Sequence, residues 1–243
     1  MSYILIVGAK SDIAKAVARE YSKNGYDIYL AGRKINELED FANDIRVRGV
    51  RNVKLLELDI TNFSSHEEFY NNIEEKPLGV ISAVGYLGEQ KLAEKDFSET
   101  LNIINANYTG VISLFNIIAD DFEDRKNGFM VGISSVAGER GRKSNYMYGS
   151  AKAGLTAYLS GLRNRLYESQ VHVMTVNPGF VATKMTEGMD LPEKLTASPK
   201  DVAEDIFESQ QKRKSILYTK WIWQYIMMII KLIPEWQFRK MSI

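Results

Sequence analysis

The strongest constraint on this chain is an alternation of short β-branched runs with longer amphipathic stretches, sustained almost to its end. Strands are expected at residues 3–7, 27–31, 53–58, 78–83, 129–133, 171–176 and 215–218. Between them, 13–22, 35–47, 67–75, 97–122 and 148–168 repeat apolar residues at the spacing of one helix face. A strand–helix–strand succession closes by a right-handed crossover. The pattern therefore predicts a mainly parallel sheet of about seven strands with helices on both faces, the doubly wound Rossmann arrangement. No linker, repeat or low-complexity segment interrupts the 243 residues. One α/β domain is expected over 1–220, with 221–243 an amphipathic helical tail of the same domain. In such sheets ligands bind beyond the carboxyl ends of the strands, where the strand order reverses. The residues following each strand therefore carry the functional reading.

Composition removes several chemistries. The chain has no cysteine, which excludes disulfides, thiolate catalysis and cysteine-held metals. Only His66 and His172 remain as soft ligands, so no metal is expected. Lys plus Arg number 31 and Asp plus Glu 31, a balance that gives no reason to expect nucleic acid. Residues 1–8 read as a buried strand without a basic leader, so an intracellular protein is expected.

Gly8-Ala9-Lys10-Ser11-Asp12-Ile13-Ala14 follows the first strand and opens a helix. A glycine turn there lets backbone approach a pyrophosphate seated on the helix amino terminus. The second strand ends in Leu30-Ala31-Gly32-Arg33, where NAD binders place an acid for the ribose hydroxyls. With the acid replaced, Arg33 favours the 2′-phosphate of NADP, and Lys10 and Ser11 are candidate helpers.

The most specific local signal is Tyr148-Gly149-Ser150-Ala151-Lys152. At i and i+4 on a helix the phenol and ammonium share a face. A fixed cation there is expected to bring the phenol from about 10 toward about 7, making Tyr148 a general acid. Thirteen residues earlier, Ser134-Ser135-Val136-Ala137-Gly138 places a hydroxyl after a strand, able to hold a substrate oxygen. Asn107-Tyr108-Thr109-Gly110 stands inside a helix against propensity, which marks a kink or a functional site.

Together these positions resemble the short-chain dehydrogenase/reductase family over essentially the whole chain. The resemblance implies a catalytic tetrad of Asn107, Ser135, Tyr148 and Lys152. Tyr148 would be the acid/base and Ser135 would bind the carbonyl oxygen. Lys152 would tune Tyr148 and hold the nicotinamide ribose, and Asn107 would keep a relay water. Asp59 and Ile60 would meet the adenine, and Ala83, Val84 and Gly85 would line the cofactor by backbone. Pro178, Gly179, Val181 and Thr183 would wrap the nicotinamide, Val181 on its amide and Thr183 on a phosphate. Two departures stand out: Asp12 and Ala14 replace family glycines, and Ser82-Ala83-Val84-Gly85 replaces Asn-Asn-Ala-Gly. Asp12 would have to point away from a diphosphate, capping its helix.

A narrower resemblance, carried by SSVAGERGRKSNYMYGSAKAG at 134–154 and QYIMMIIKLIPEWQFRK near the end, is to the decaprenylphosphoryl-2-ketopentose reductases. It implies NADPH-dependent reduction of a polyprenyl-phosphate-linked 2-keto sugar in cell-envelope biosynthesis. The alternatives are another ketone, such as a 3-oxoacyl thioester, or a non-catalytic NADP-binding scaffold. Two features bear on the choice. Glu139-Arg140-Gly141-Arg142-Lys143 is expected at the pocket mouth, with arginines suited to phosphate. From Ser209 onward, seven basic residues face one acid, alongside all three tryptophans. Trp223, Ile226, Met227, Ile230 and Ile233 fall on one helix face, expected to meet lipid at the inner face of the membrane. The competing cover for that face is a second subunit, and a homo-oligomer is expected.

Overall fold

The computed structural model describes residues 2–47 and 52–241. Its strands are β1 (Tyr3–Val7), β2 (Asp27–Gly32), β3 (Val53–Glu57), β4 (Gly79–Ser82), β5 (Phe129–Ile133), β6 (His172–Pro178), β7 (Phe180–Val181), β8 (Thr196–Ala197) and β9 (Ile216–Thr219). Seven of them form one parallel sheet in the order β3-β2-β1-β4-β5-β6-β9, and β7 pairs with β8 in a separate parallel ribbon. The helices are α1 (Asp12–Lys23), α2 (Glu39–Val47), α3 (His66–Asn71), α4 (Gln90–Ala93), α5 (Phe97–Ile104), α6 (Gly110–Arg125), α7 (Tyr146–Arg165), α8 (Pro199–Gln211), α9 (Ile222–Leu232) and α10 (Glu235–Phe238).

Both faces of the sheet are covered, which is why the strands read as unbroken apolar runs. Every residue of β1, β2, β5 and β6 is buried. Alternate residues divide between two cores, as the two-residue pleat requires. Ile4, Ile6, Ile28 and Leu30 join Val17, Val202 and Ile206 on one side. Leu5, Val7, Val80 and Val173 join Phe115, Ile118 and Leu159 on the other.

Among the differences from expectation, two bear on the site. The helix expected at 97–122 is interrupted by a π-helical turn at Asn105–Thr109, so the misplaced Asn and Gly do mark a distortion. Such turns commonly sit at functional sites. Helix α8 lies outside the helices expected above, although Ser198-Pro199-Lys200-Asp201 encodes its start. The Ser198 hydroxyl accepts from Asp201 N at 3.1 Å, and the Asp201 carboxylate accepts from Ser198 N at 3.0 Å. That reciprocal pair with Pro at the first helical position is a complete helix-start signal. The strand order reverses between β1 and β4, which fixes the crevice to be searched.

Candidate active site

At the β1 end, Gly8 has φ +80°, and a Cβ on it would lie 2.9 Å from Val84 N. Only glycine gives the backbones after β1 and β4 this approach, the cradle that a diphosphate fills. Ser11 caps α1, its hydroxyl accepting from Ala14 N at 3.1 Å. This corrects the expected role of Asp12, which does not cap the helix. Its carboxylate accepts from Lys184 N at 2.8 Å, which does point it away from the helix start and ties it to the segment after β7.

The adenine-side residues follow β2 and β3. Arg33 is exposed and has no ion pair among the described residues. Lys10, expected beside it as a phosphate helper, is instead paired with Glu37 at 2.6 Å. The Ser11 hydroxyl accepts at its cap and keeps its O–H as a donor for a phosphate. Burial would raise the Asp59 carboxyl, but the Thr61 N–H and hydroxyl, with Arg33, hold it below the usual range. Ile60 follows it, partly buried against the second core.

The expected catalytic residues converge at the carboxyl end of β4 and β5. Lys152 is only 2% exposed, and its ammonium donates to Ile133 O at 3.0 Å and Val84 O at 3.1 Å. Burial pushes it down to about 7. Its nitrogen lies 5.7 Å from the Tyr148 ring centroid, so the two do share a helix face. The expected lowering of the phenol does not occur here: burial pushes Tyr148 up to about 12, with only the Ser135 hydroxyl bonded to it opposing. The reason is that the same desolvation acts on both partners and removes the cation's advantage. Tyr148 is therefore a neutral phenol at pH 7, with its proton in place to donate.

The two serines separate cleanly. Ser134 bonds Lys152 O at 2.9 Å and the Thr156 hydroxyl at 2.7 Å, fastening α7 to β5. Ser135 caps the turn Val136–Gly138 through Ala137 N and also reaches Tyr148. Asn107 is fully buried in the π turn. Its amide donates to Tyr86 O at 2.6 Å and Ile103 O at 2.8 Å, and its oxygen accepts from Tyr86 N at 3.1 Å. Asn107 and Lys152 thus hold the backbone at Tyr86 and Val84, in the segment whose Ala83, Val84 and Gly85 are expected to line the cofactor.

At the end of β6 and just after it, Pro178 and Val181 are buried, while Gly179 and Thr183 are partly open. Here lies the residue that sequence reasoning misplaced. Trp223 of α9 is 4% exposed, and its indole donates to Leu195 O at 3.0 Å. The expected lipid stripe of Trp223, Ile226, Met227 and Ile230 faces inward, packed on Val136, Phe180, Leu195 and Tyr218. The apolar face left exposed is the opposite one: Trp221, Ile222, Tyr225, Met228, Ile229 and Leu232. Apolar periodicity cannot tell which of two apolar faces meets the domain. The loop 139–143 is corrected too. Arg140 does not await a phosphate: its guanidinium bonds Ile230 O at 2.5 Å and Ile233 O at 2.6 Å, pairs with Glu235, and lies 3.8 Å from the Phe238 ring centroid. Glu139 is paired with Lys231.

Comparison with known proteins agrees with this geometry. The short chain dehydrogenase family model matches residues 2–194. An uncharacterized oxidoreductase of Mycobacterium tuberculosis (strain ATCC 25618 / H37Rv) is 33% identical over 241 residues, covering 98% of this chain and 96% of that protein. Among solved structures, a short-chain dehydrogenase from Sphingobium yanoikuyae in complex with NADPH superposes with TM-score 0.83 at 22% identity, covering 97% of both chains. An actinorhodin polyketide ketoreductase with NADPH gives TM-score 0.79 at 20% identity, over 89% of this chain and 95% of that one. The chain belongs to the short-chain dehydrogenase family of oxidoreductases, and its fold is that family's.

Proposed function

We propose that this protein uses NADPH to reduce a ketone to a secondary alcohol, and that the ketone is a 2-keto sugar carried on a polyprenyl phosphate. The observation that carries the reaction type is the placement of Tyr148, bonded to Ser135 and with the buried Lys152 nitrogen 5.7 Å from its ring, beside the carboxyl ends of β4 and β5. The cofactor would lie over Gly8, with Arg33 on its 2′-phosphate and Pro178, Gly179, Val181 and Thr183 about its nicotinamide. Bound there, NADPH supplies the hydride. Ser135 then orients the carbonyl oxygen and Tyr148 delivers the proton to it, while Asn107 and Lys152 keep the wall at 83–86 fixed. Two NADPH-bound proteins of the same fold support the cofactor reading. Support for the lipid-linked substrate comes from the resemblance at 134–154 and from the tail.

NADPH consumption with lipid-linked 2-keto sugars, 3-oxoacyl thioesters and a generic diketone tests this directly. Turnover only of the thioester moves the protein to another substrate class, and no turnover of any ketone makes it an NADP-binding scaffold. In the same assay, NADPH should be preferred over NADH, and Arg33→Ala should erase most of that preference. An unchanged ratio makes Arg33 a solvated side chain with no part in binding.

The same reading places the protein at the inner face of a membrane. Trp221 is 72%, Ile229 60%, Leu232 76% and Trp236 63% exposed, and Lys220, Arg239 and Lys240 border them. At 11 residues, α9 is too short to cross a bilayer, which needs about 20. An interfacial helix with tryptophans and basic flanks needs no such length. Leu232→Glu should release the protein from anionic vesicles, and salt should weaken binding by roughly 1 kcal/mol per basic residue screened. Homo-oligomerisation is the companion proposal, supported by exposed Phe97 and Leu101 on α5. Sedimentation that ignores lipid, with Leu232→Glu converting a dimer to a monomer, would assign the α9 face to a subunit contact instead.

A further inference from the structure

We infer that the tail is a positioning element of the active site, and that Trp223 holds the nicotinamide-side segment while Arg140 holds the tail. The inference rests on the reading that 178–183 receives the nicotinamide. Three observations carry it. A Cβ on Gly179 would lie 2.0 Å from both Cε2 and Nε1 of Trp223, so the indole lies directly on the Gly179 backbone. Trp223 also meets the Phe180 ring edge-on at 5.2 Å between centroids, and bonds Leu195 O beside β8. One rigid side chain thus touches both arms of the β7–β8 ribbon, through which the chain after Pro178 turns away from the sheet.

The second observation is on the catalytic side. Val136, the residue after Ser135, shares a buried cluster with Trp223 and Met227. Helix α9 therefore packs at once against the turn that begins at Ser135 and against the segment that begins at Pro178. The third is how that helix is fastened. Arg140 lies five residues beyond Ser135 in the chain and bonds the carbonyls of Ile230 and Ile233, the carboxyl end of α9. A guanidinium there satisfies orphan carbonyls and complements the helix dipole. Its second nitrogen pairs with Glu235 and its plane covers Phe238, so α10 is held by the same side chain. The Glu139–Lys231 pair adds a second tie. The turn carrying Ser135 and the segment carrying Gly179 are thus spaced by the tail, not by the sheet alone.

The consequence is that Trp223 acts on the reaction without touching the substrate. The test is a mutant cycle on full-length protein with a diketone that wild type reduces, reading kcat, NADPH Kd and Tm. Gly179→Ala should drive the indole off its seat and lower kcat/KM by about 10²-fold, the scale of a 1 Å misplacement. Trp223→Ala should lower it about tenfold, mostly through NADPH Kd and kcat rather than ketone KM. The double variant should be no worse than Trp223→Ala, because the methyl then has nothing to displace. Should Trp223→Ala fail to fold, Trp223→Phe in the Gly179→Ala background gives the same reading, since the smaller ring leaves room for the methyl. Wild-type kcat and NADPH Kd in Trp223→Ala, or losses in the double variant that simply multiply, would overturn the inference. A wild-type protein that binds no NADPH would instead overturn the reading on which it rests.

Discussion

Tyr148→Phe is expected to lower kcat by 10²–10⁴-fold while leaving NADPH affinity unchanged. The ring and its contacts remain, and only the proton is lost, so the deficit is the part supplied by general acid catalysis. The direction of the pKa matters to this argument. Burial holds Tyr148 up at about 12, so the phenol is fully protonated at pH 7 and no preceding protonation step is needed for reduction. As hydride arrives, the developing alkoxide is the stronger base and takes the proton through the oxygen that Ser135 also holds. Steady-state turnover and a fluorescence titration of NADPH measure the two quantities separately. Residual kcat above about a tenth of wild type would remove Tyr148 from the role of acid.

Lys152→Met should abolish turnover and also flatten how stability depends on pH. The ammonium titrates at its ordinary value of 10.5 in the unfolded chain and is pushed down to about 7 by burial in the folded one. Between those values the unfolded chain holds one more proton than the folded chain, so folding stability rises with pH through that window. Below about pH 7 both states are protonated, and the full cost of burying the charge remains, on the order of 5 kcal/mol. The Met variant lacks this titration. It leaves Ile133 O and Val84 O without their donor, at about 1–3 kcal/mol each, which offsets its gain at pH 7. The difference in slope is the clean readout: urea unfolding at pH 7 and pH 10 should show wild type gaining on the variant as pH rises. Parallel slopes would mean that Lys152 keeps its proton in the folded protein.

The fold was readable because burial on both faces makes each central strand a plain apolar run. The expected residues 3–7 and 129–133 coincide with β1 and β5. The meeting of Tyr148 and Lys152 was readable because their spacing is local and both lie on α7, and the distortion at Asn107 was readable from its poor helix propensity. What could not be read was partnership at a distance. Lys10 finds Glu37, Asp12 finds Lys184 N, and Arg140 finds the carbonyls of α9, ninety or more residues away. Charge in a sequence marks what a group can bind, not which competitor reaches it first. The tail shows the same limit in apolar form, since α9 carries greasy residues on two faces and only the fold chose Trp223 for the inside.

The seat of Trp223 on Gly179 also sets an order on the ribosome. The cradle at Gly8, the strand ends that hold Lys152 and the phenol itself are all made before the last quarter of the chain. The indole that fixes the segment beyond β6 is among the last residues to emerge, and the carbonyls that Arg140 grasps come later still. Earlier segments fold first as a chain grows, so the strand ends that hold Lys152 are in place before the support of the segment beyond Pro178. Strand β9 ends only four residues before Trp223, so the segment beyond Pro178 gains its indole support together with the last strand of the sheet.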